Sequence, residues 1–182
     1  MMVMLMMFIA FVDDDQIIKH VGKLATFFVG RLNQNNKKNL INFCKKCQDV
    51  GLDLRLKENI KEKIWEKFIF LSAYSGITTL TKKTIGEIFE ITHLKDKFVN
   101  AMIETYNLSK NFEVVFKSNP VEYWIKKIER MPFDMTSSMF VDYKNKRRLE
   151  LNWLSGSIVF YSQRFGNSCP IHQEIVNGIE SK

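Results

Sequence analysis

The chain opens on twelve residues, 1–12, that are almost wholly apolar and are closed by Asp13, Asp14 and Asp15. Such a stretch is too short for a bilayer, which takes about 20 residues. No basic segment precedes it and no small-x-small cleavage site follows, so it does not read as a signal peptide. A continuous apolar run ended by a turn signal predicts a buried parallel strand, here with no partner upstream. After a turn at 13–16, the β-favouring residues at 17–21 and 24–29 predict two more extended segments. Near Asn36 the period changes. Leu40, Ile41, Phe43, Cys44 and Cys47 fall at helical spacing until Gly51 stops them, and 52–56 is extended again. From Asn59, a plausible N-cap, Ile60, Ile64, Phe68, Leu71 and Ser75 mark one stripe, widened by Trp65 and Ile69. They predict a long helix to about residue 80. Further helices are predicted over 84–89, 94–108, 121–130, 137–143, 150–165 and 172–179.

Composition adds little to that picture. Only three Pro and eight Gly favour helices over a turn-rich sheet protein, and fifteen Phe supply core bulk. The net charge of +7 comes from basic residues scattered among acids, as in Lys57-Glu58-Asn59-Ile60-Lys61-Glu62-Lys63, which is the pattern of a solvated helix face. The densest basic run, Lys144 to Arg148, has no aromatic interleaving, so nucleic-acid binding is not expected. Nor is membrane binding. Three cysteines form no disulfide framework. Cys44 and Cys47 make a CxxC with no second pair, so reduced thiols in a cytoplasm are the plain reading and no metal site is expected.

Two groups of residues carry more information. The first is Ile64-Trp65-Glu66-Lys67-Phe68, followed by Thr78-Thr79-Leu80-Thr81 and Ile85-Gly86-Glu87. The second is Thr136-Ser137-Ser138-Met139-Phe140-Val141-Asp142, with Glu150 eight residues after the aspartate, then Leu154-Ser155-Gly156, Gly166 and Pro170. In order and spacing they resemble the C-terminal domain of the ketopantoate reductase (2-dehydropantoate 2-reductase) family: a W-x-K helix, a T-S-S-M-x-x-D segment, a downstream acid and a closing G-x-x-x-P. The resemblance covers residues 33–182. It implies a mainly α fold, an all-helical domain of the ketopantoate reductase and 6-phosphogluconate dehydrogenase C-terminal type, preceded by a few strands left from a Rossmann domain. Ile17 to His20 and Phe27 to Gly30 resemble two successive strands of that cofactor domain, with Gly30-Arg31 where the family has Gly-Glu. The domain reading is therefore 1–32 as remnant strands of the NADP-binding domain, 33–57 as connecting helix and linker, and 58–182 as the helical substrate domain. By this reading the chain starts late in the cofactor domain. It has no G-x-G-x-x-G, the glycine-rich turn that places a pyrophosphate on a helix N-terminus.

The resemblance also implies an activity: NADPH-dependent reduction of ketopantoate, or a related 2-keto acid, in pantothenate and coenzyme A biosynthesis. The lysine of W-x-K, Lys67, would be the proton donor; Ser138, Ser75 and Asp142 would lie on the substrate and Glu150 beside cofactor and substrate. A carboxylate facing Lys67 would hold the lysine protonated and oriented. Each has an ordinary alternative. Lys67 is one of several lysines on its helix, Ser137 or Ser138 could cap a helix, Asp142 could pair with a cation, and Glu150 could serve a helix dipole. One departure bears on the substrate. Asparagines stand four and eight residues after the lysine in the best-known family pattern, where this chain has Leu71 and Ser75. Leucine cannot hydrogen-bond a hydroxyl, which points to a less polar 2-keto acid. The competing expectation is a catalytically inactive fragment, truncated or from a split gene, acting as a helical dimerisation or interaction module. Its partners would be a second copy or a polypeptide supplying the N-terminal half.

Overall fold

The computed structural model describes residues 2–12, 15–31 and 38–181. It divides into two compact units, Met1–Ile64 and Trp65–Lys182.

In the first unit, β1 (Met2–Val12) and β2 (Ile18–Arg31) form a long antiparallel ladder, and β3 (Leu54–Leu56) pairs parallel to β2 at Phe27, Phe28 and Val29. The apolar run is therefore not a buried parallel strand. Its partner lies downstream, and its first residues alternate as a half-exposed strand does, with Met2, Met4 and Met6 at 57%, 55% and 45% exposure. The two extended segments expected at 17–21 and 24–29 are one strand. Phe8 pairs with Ala25 and Ile9 with Val21, so residues 22–24 form an irregularity within β2 rather than a break. Part of the turn expected at 13–16 and the beginning of the helix expected near Asn36 lie outside the described residues.

Helix α1 (Lys38–Asp49) connects β2 to β3, as parallel pairing requires a crossover. Leu40 and Cys44 join Val29 and Leu54 in a small core, with Phe27, Cys47 and Leu56 around it, so the CxxC is a packing feature of free thiols. Burial and the neighbouring Cys47 push the Cys44 thiol up. Gly51, at φ +86°, ends the helix as expected. Thr26 donates to Asp53 at 2.7 Å, and Arg55 clamps the same carboxylate. Gly30 is a point of close approach: a Cβ there would lie 2.5 Å from Ile60 Cβ and 2.6 Å from the Lys57 carbonyl.

Helix α2 (Ile60–Thr81) starts where the side chain of Asn59 accepts from Glu62 N, as the sequence predicts. In the second unit it is buried on nearly all sides. Ile69, Ala73 and Ile77 are fully buried, and so are Ser72 and Thr78. Around it pack α3 (Ile85–Glu90), α4 (Thr92–Asn111), α5 (Pro120–Ile128), α6 (Ser138–Lys144), α7 (Ser155–Phe165) and α8 (Pro170–Glu180). Thr84 and Glu87 close a reciprocal capping box at the start of α3. The glycine of Ile85-Gly86-Glu87 has a packing reason, because a Cβ would overlap the Phe133 ring while Gly86 N donates to the Phe133 carbonyl. The helix expected over 150–165 is divided. A 3-10 turn, Leu151–Trp153, comes first, and Leu154 at φ −99°, ψ −99° breaks the run before α7. Among the described residues no helix is long and apolar enough to cross a membrane.

Candidate active site

Trp65 fixes how α2 is rolled. Its indole stands edge-on to Phe68, with centroids 5.6 Å apart, and lies 5.1 Å from the Phe112 ring. Lys67 is two residues on, about 200° around the helix, and so leaves on the other side from that aromatic cluster. A second anchor holds the same turn. The Trp124 indole N–H donates to the Glu66 carbonyl at 2.6 Å, and Trp124 stacks on Phe70 at 4.2 Å. Leu71, Ser75 and Thr78 follow within about 80° of Lys67, on one face of α2. Lys67 and Leu71 are half-buried, whereas Ser75 is 1% exposed.

The T-S-S-M segment meets that face. Ser137 caps α6 by accepting from Phe140 N at 3.1 Å, and its hydroxyl lies 2.7 Å from that of Thr78. The two serines thus divide the work. Ser137 is buried in the cap, and Ser138 is left exposed at the first position of α6. Asp142 makes a long 3.7 Å pair with Arg147 and accepts from Arg147 N through its carbonyl, which shapes the loop leading to Glu150. Glu150 is exposed and caps the 3-10 turn through its backbone.

Lys67 and Glu150 interact electrostatically. Burial pushes the Lys67 ammonium below its ordinary value, and the negative charge of Glu150 opposes that shift without cancelling it. A lysine so placed is a better proton donor than a solvated one and still has a carboxylate to hold its cation. The charge of Glu150 thus acts on the Lys67 ammonium, and Ser137, the neighbour of Ser138, meets Thr78 of α2. Ser75 sits on that face but inside the packing, and Asp142 is engaged with Arg147.

Two supporting groups have no clear sequence signal. The Trp124 indole reaches the Lys67 turn from 58 residues away in sequence. His172 is fully buried. Its Nδ1 lies 3.1 Å from Ser155 Oγ and its Nε2 2.9 Å from Thr105 Oγ1, and Thr105 in turn meets Ser72 of α2 at 3.2 Å. Among the described residues no group of acids, histidines and cysteines could hold a metal ion.

Comparison with known proteins bears on the family and the fold. The family model for the C-terminal domain of ketopantoate reductase, PanE/ApbA, matches residues 59–182. The chain is 24% identical to a 2-dehydropantoate 2-reductase of Archaeoglobus fulgidus over 137 residues, which are 74% of this chain and 46% of that protein. Among solved structures, it is similar to a dimeric ketopantoate reductase of Staphylococcus aureus, with a TM-score of 0.85 at 17% identity over 99% of this chain and 60% of that one. A D-mandelate dehydrogenase in complex with NADH shares the fold at a TM-score of 0.86 and 17% identity, over 99% of this chain and 62% of that one. The chain spans about half the length of the curated relatives it matches. Matched over its whole helical unit by that model, the chain belongs to the ketopantoate reductase family, as a mainly α protein carrying the family's C-terminal domain.

Proposed function

We propose that this chain supplies the substrate side of a reductase site that converts a 2-keto acid, ketopantoate or a relative of it, to the 2-hydroxy acid at the expense of NADPH. The observation that carries the reading is Lys67, half-buried on α2 and under the electrostatic influence of Glu150. Its ammonium is the group to polarise the C2 carbonyl and to give a proton to the alkoxide. The negative charge of Glu150 favours the protonated ammonium, and Glu150 is the acid assigned to the cofactor side. The exposed Ser138 hydroxyl is the donor offered to the substrate carboxylate. Ser75 closes the inner wall, and Asp142 holds the loop through Arg147.

A reduced nicotinamide, when bound, supplies the hydride for C2. Most of the described glycines serve helix ends or packing contacts instead of a pyrophosphate cradle. Gly51 and Gly166 end helices at positive φ, and Gly30, Gly76, Gly86 and Gly178 stand at packing contacts. The nucleotide-binding role is accordingly assigned to residues other than these, with 1–32 as strands of the cofactor domain, 33–57 as its connection and 58–182 as the substrate domain. The test is a titration of the full chain with ketopantoate in the presence of NADPH, followed by ligand-observed NMR and nucleotide fluorescence. Saturable binding that is lost in Lys67→Ala, with the helical circular dichroism unchanged, is the expected result. Equal binding by both proteins would overturn the assignment.

Self-association is a second reading, favoured by the aromatic residues that the 3-10 turn and α7 leave exposed: Trp153 at 72%, Phe160 at 52% and Phe165 at 45%. Sedimentation should then show a dimer that Trp153→Ser weakens, and a monomer at all concentrations would remove this reading.

A further inference from the structure

Where α6 ends, the chain turns on a motif that glycine ordinarily serves. Arg147 N donates to the Asp142 carbonyl at 2.9 Å and Lys146 N to the Tyr143 carbonyl at 3.1 Å, the paired bonds of a Schellman helix end. The residue in the left-handed position of that motif is Lys146, at φ +54°. A Cβ is crowded there, so local folding favours glycine over lysine. A second lysine at a left-handed position, Lys82 at φ +58° after α2, sets its ammonium 5.7 Å from the Tyr143 ring.

Around this turn Tyr143, Lys144, Lys146, Arg147 and Leu149 line an open cavity of about 480 Å³, a size that suits a small molecule. Its charge is one-sided. Asp142 stands 3.7 Å from Arg147, too far for a hydrogen bond, and the charge of Glu150 acts on Lys67. Among the described residues Lys144 and Lys146 form no ion pair, and the Arg147 guanidinium makes no hydrogen bond. Tyr143 and Leu149, both half-buried, give the cavity an apolar wall. We propose that this cavity binds a small phosphate monoester, with Lys146 and Arg147 on the phosphate oxygens and the organic part against Tyr143 and Leu149. A phosphate accounts for a lysine in a glycine position, which the folding of the turn does not. The phosphate belongs to the nucleotide cofactor or to a separate phosphorylated ligand. The site stands whether or not Lys67 acts on a 2-keto acid.

Phenyl phosphate is the probe, titrated into the full chain at constant ionic strength and followed by ligand-observed NMR. Saturable binding is expected, weakened about fivefold or more in Lys146→Gly and in Arg147→Gln. Lys146→Gly should resist urea at least as well as the parent, so its weakened binding cannot be a folding defect. Lys126→Gln, which removes an exposed lysine of α5 outside the cavity, should leave the affinity unchanged. No saturation at millimolar probe would overturn the proposal, as would unaltered binding in the two cavity variants. An equal loss in Lys126→Gln would also overturn it, as the mark of diffuse charge. Competition then separates the two sources. Displacement of the probe by NADPH and not by NADH assigns the phosphate to the cofactor, and displacement by neither assigns it to a separate ligand. Displacement by both would show that a pyrophosphate suffices and would remove the monoester assignment.

Discussion

Between pH 6.5 and about 4 the helical unit should lose stability through one side chain, His172, whose imidazole burial pushes down from 6.5 to about 4. Its Nε2 faces Thr105 and the Ala101 carbonyl, and Nδ1 faces Ser155. Nε2 donates to the Ala101 carbonyl, and in the neutral ring Nδ1 accepts from the Ser155 hydroxyl. The native state prefers the neutral form, so the unfolded chain binds the extra proton. Stability from this group is complete above the unfolded value and falls as pH drops through the interval. At about 1.4 kcal/mol per pH unit the interval amounts to about 3 kcal/mol, a large part of a domain's margin. Glu104, which accepts from the N–H groups of Ile171 and His172, is raised by burial and contributes with the opposite sign. The measurement must subtract it. Urea unfolding at steps from about pH 7.5 to about pH 3.5, spanning that interval, would be compared with His172→Gln, which cannot titrate. The wild-type curve should fall with acid much more steeply than the variant's. Parallel pH dependences, or an NMR titration placing His172 near 6.5, its ordinary value, would refute the reasoning.

Other outcomes follow from particular contacts. Gly30→Ala should cost about 2–3 kcal/mol in urea unfolding, because the obstructing atoms are the Lys57 carbonyl and Ile60 Cβ and neither can swing aside. Gly86→Ala should cost less, about 1 kcal/mol. The Phe133 ring in its way is 52% exposed and can turn outward. Ser137→Ala removes both the α6 cap and the partner of Thr78. It should destabilise by about 1 to about 2 kcal/mol. Ser138→Ala should leave unfolding unchanged and weaken 2-keto acid binding in the NMR titration. The reverse pattern would exchange the roles of the two serines.

Where the sequence is legible, one signal dominates locally. Asn59 and the apolar stripe place α2 within a residue or so of its observed bounds, and Gly51 ends α1 through the left-handed backbone that glycine tolerates. The motif groups single out Lys67 and Glu150, and the charge of Glu150 acts on the Lys67 ammonium. Legibility fails where distant contacts decide. An alternation of methionines with other apolar residues looks the same whether one face or both are covered, so the sequence makes β1 look buried when its first residues are not. Nothing in Leu154-Ser155-Gly156 announces a break, because Leu154 owes its backbone to its surroundings and not to its residue type. Lone histidines and tryptophans such as His172 and Trp124 carry no spacing at all. Their partners lie 67 and 58 residues away.

The break at Leu154 has a consequence for how such a chain can change over time. In a continuous helix, deleting one residue from the stretch after Glu150 would rotate that carboxylate by about 100° relative to the packed face. Because the 3-10 turn and α7 are separate pieces, the helix can drift in phase, lengthen or repack while Glu150 keeps its place before the 3-10 turn. Insertions and substitutions along α7 are thereby insulated from the chemistry. The helical face and the charged pair can then evolve on separate schedules.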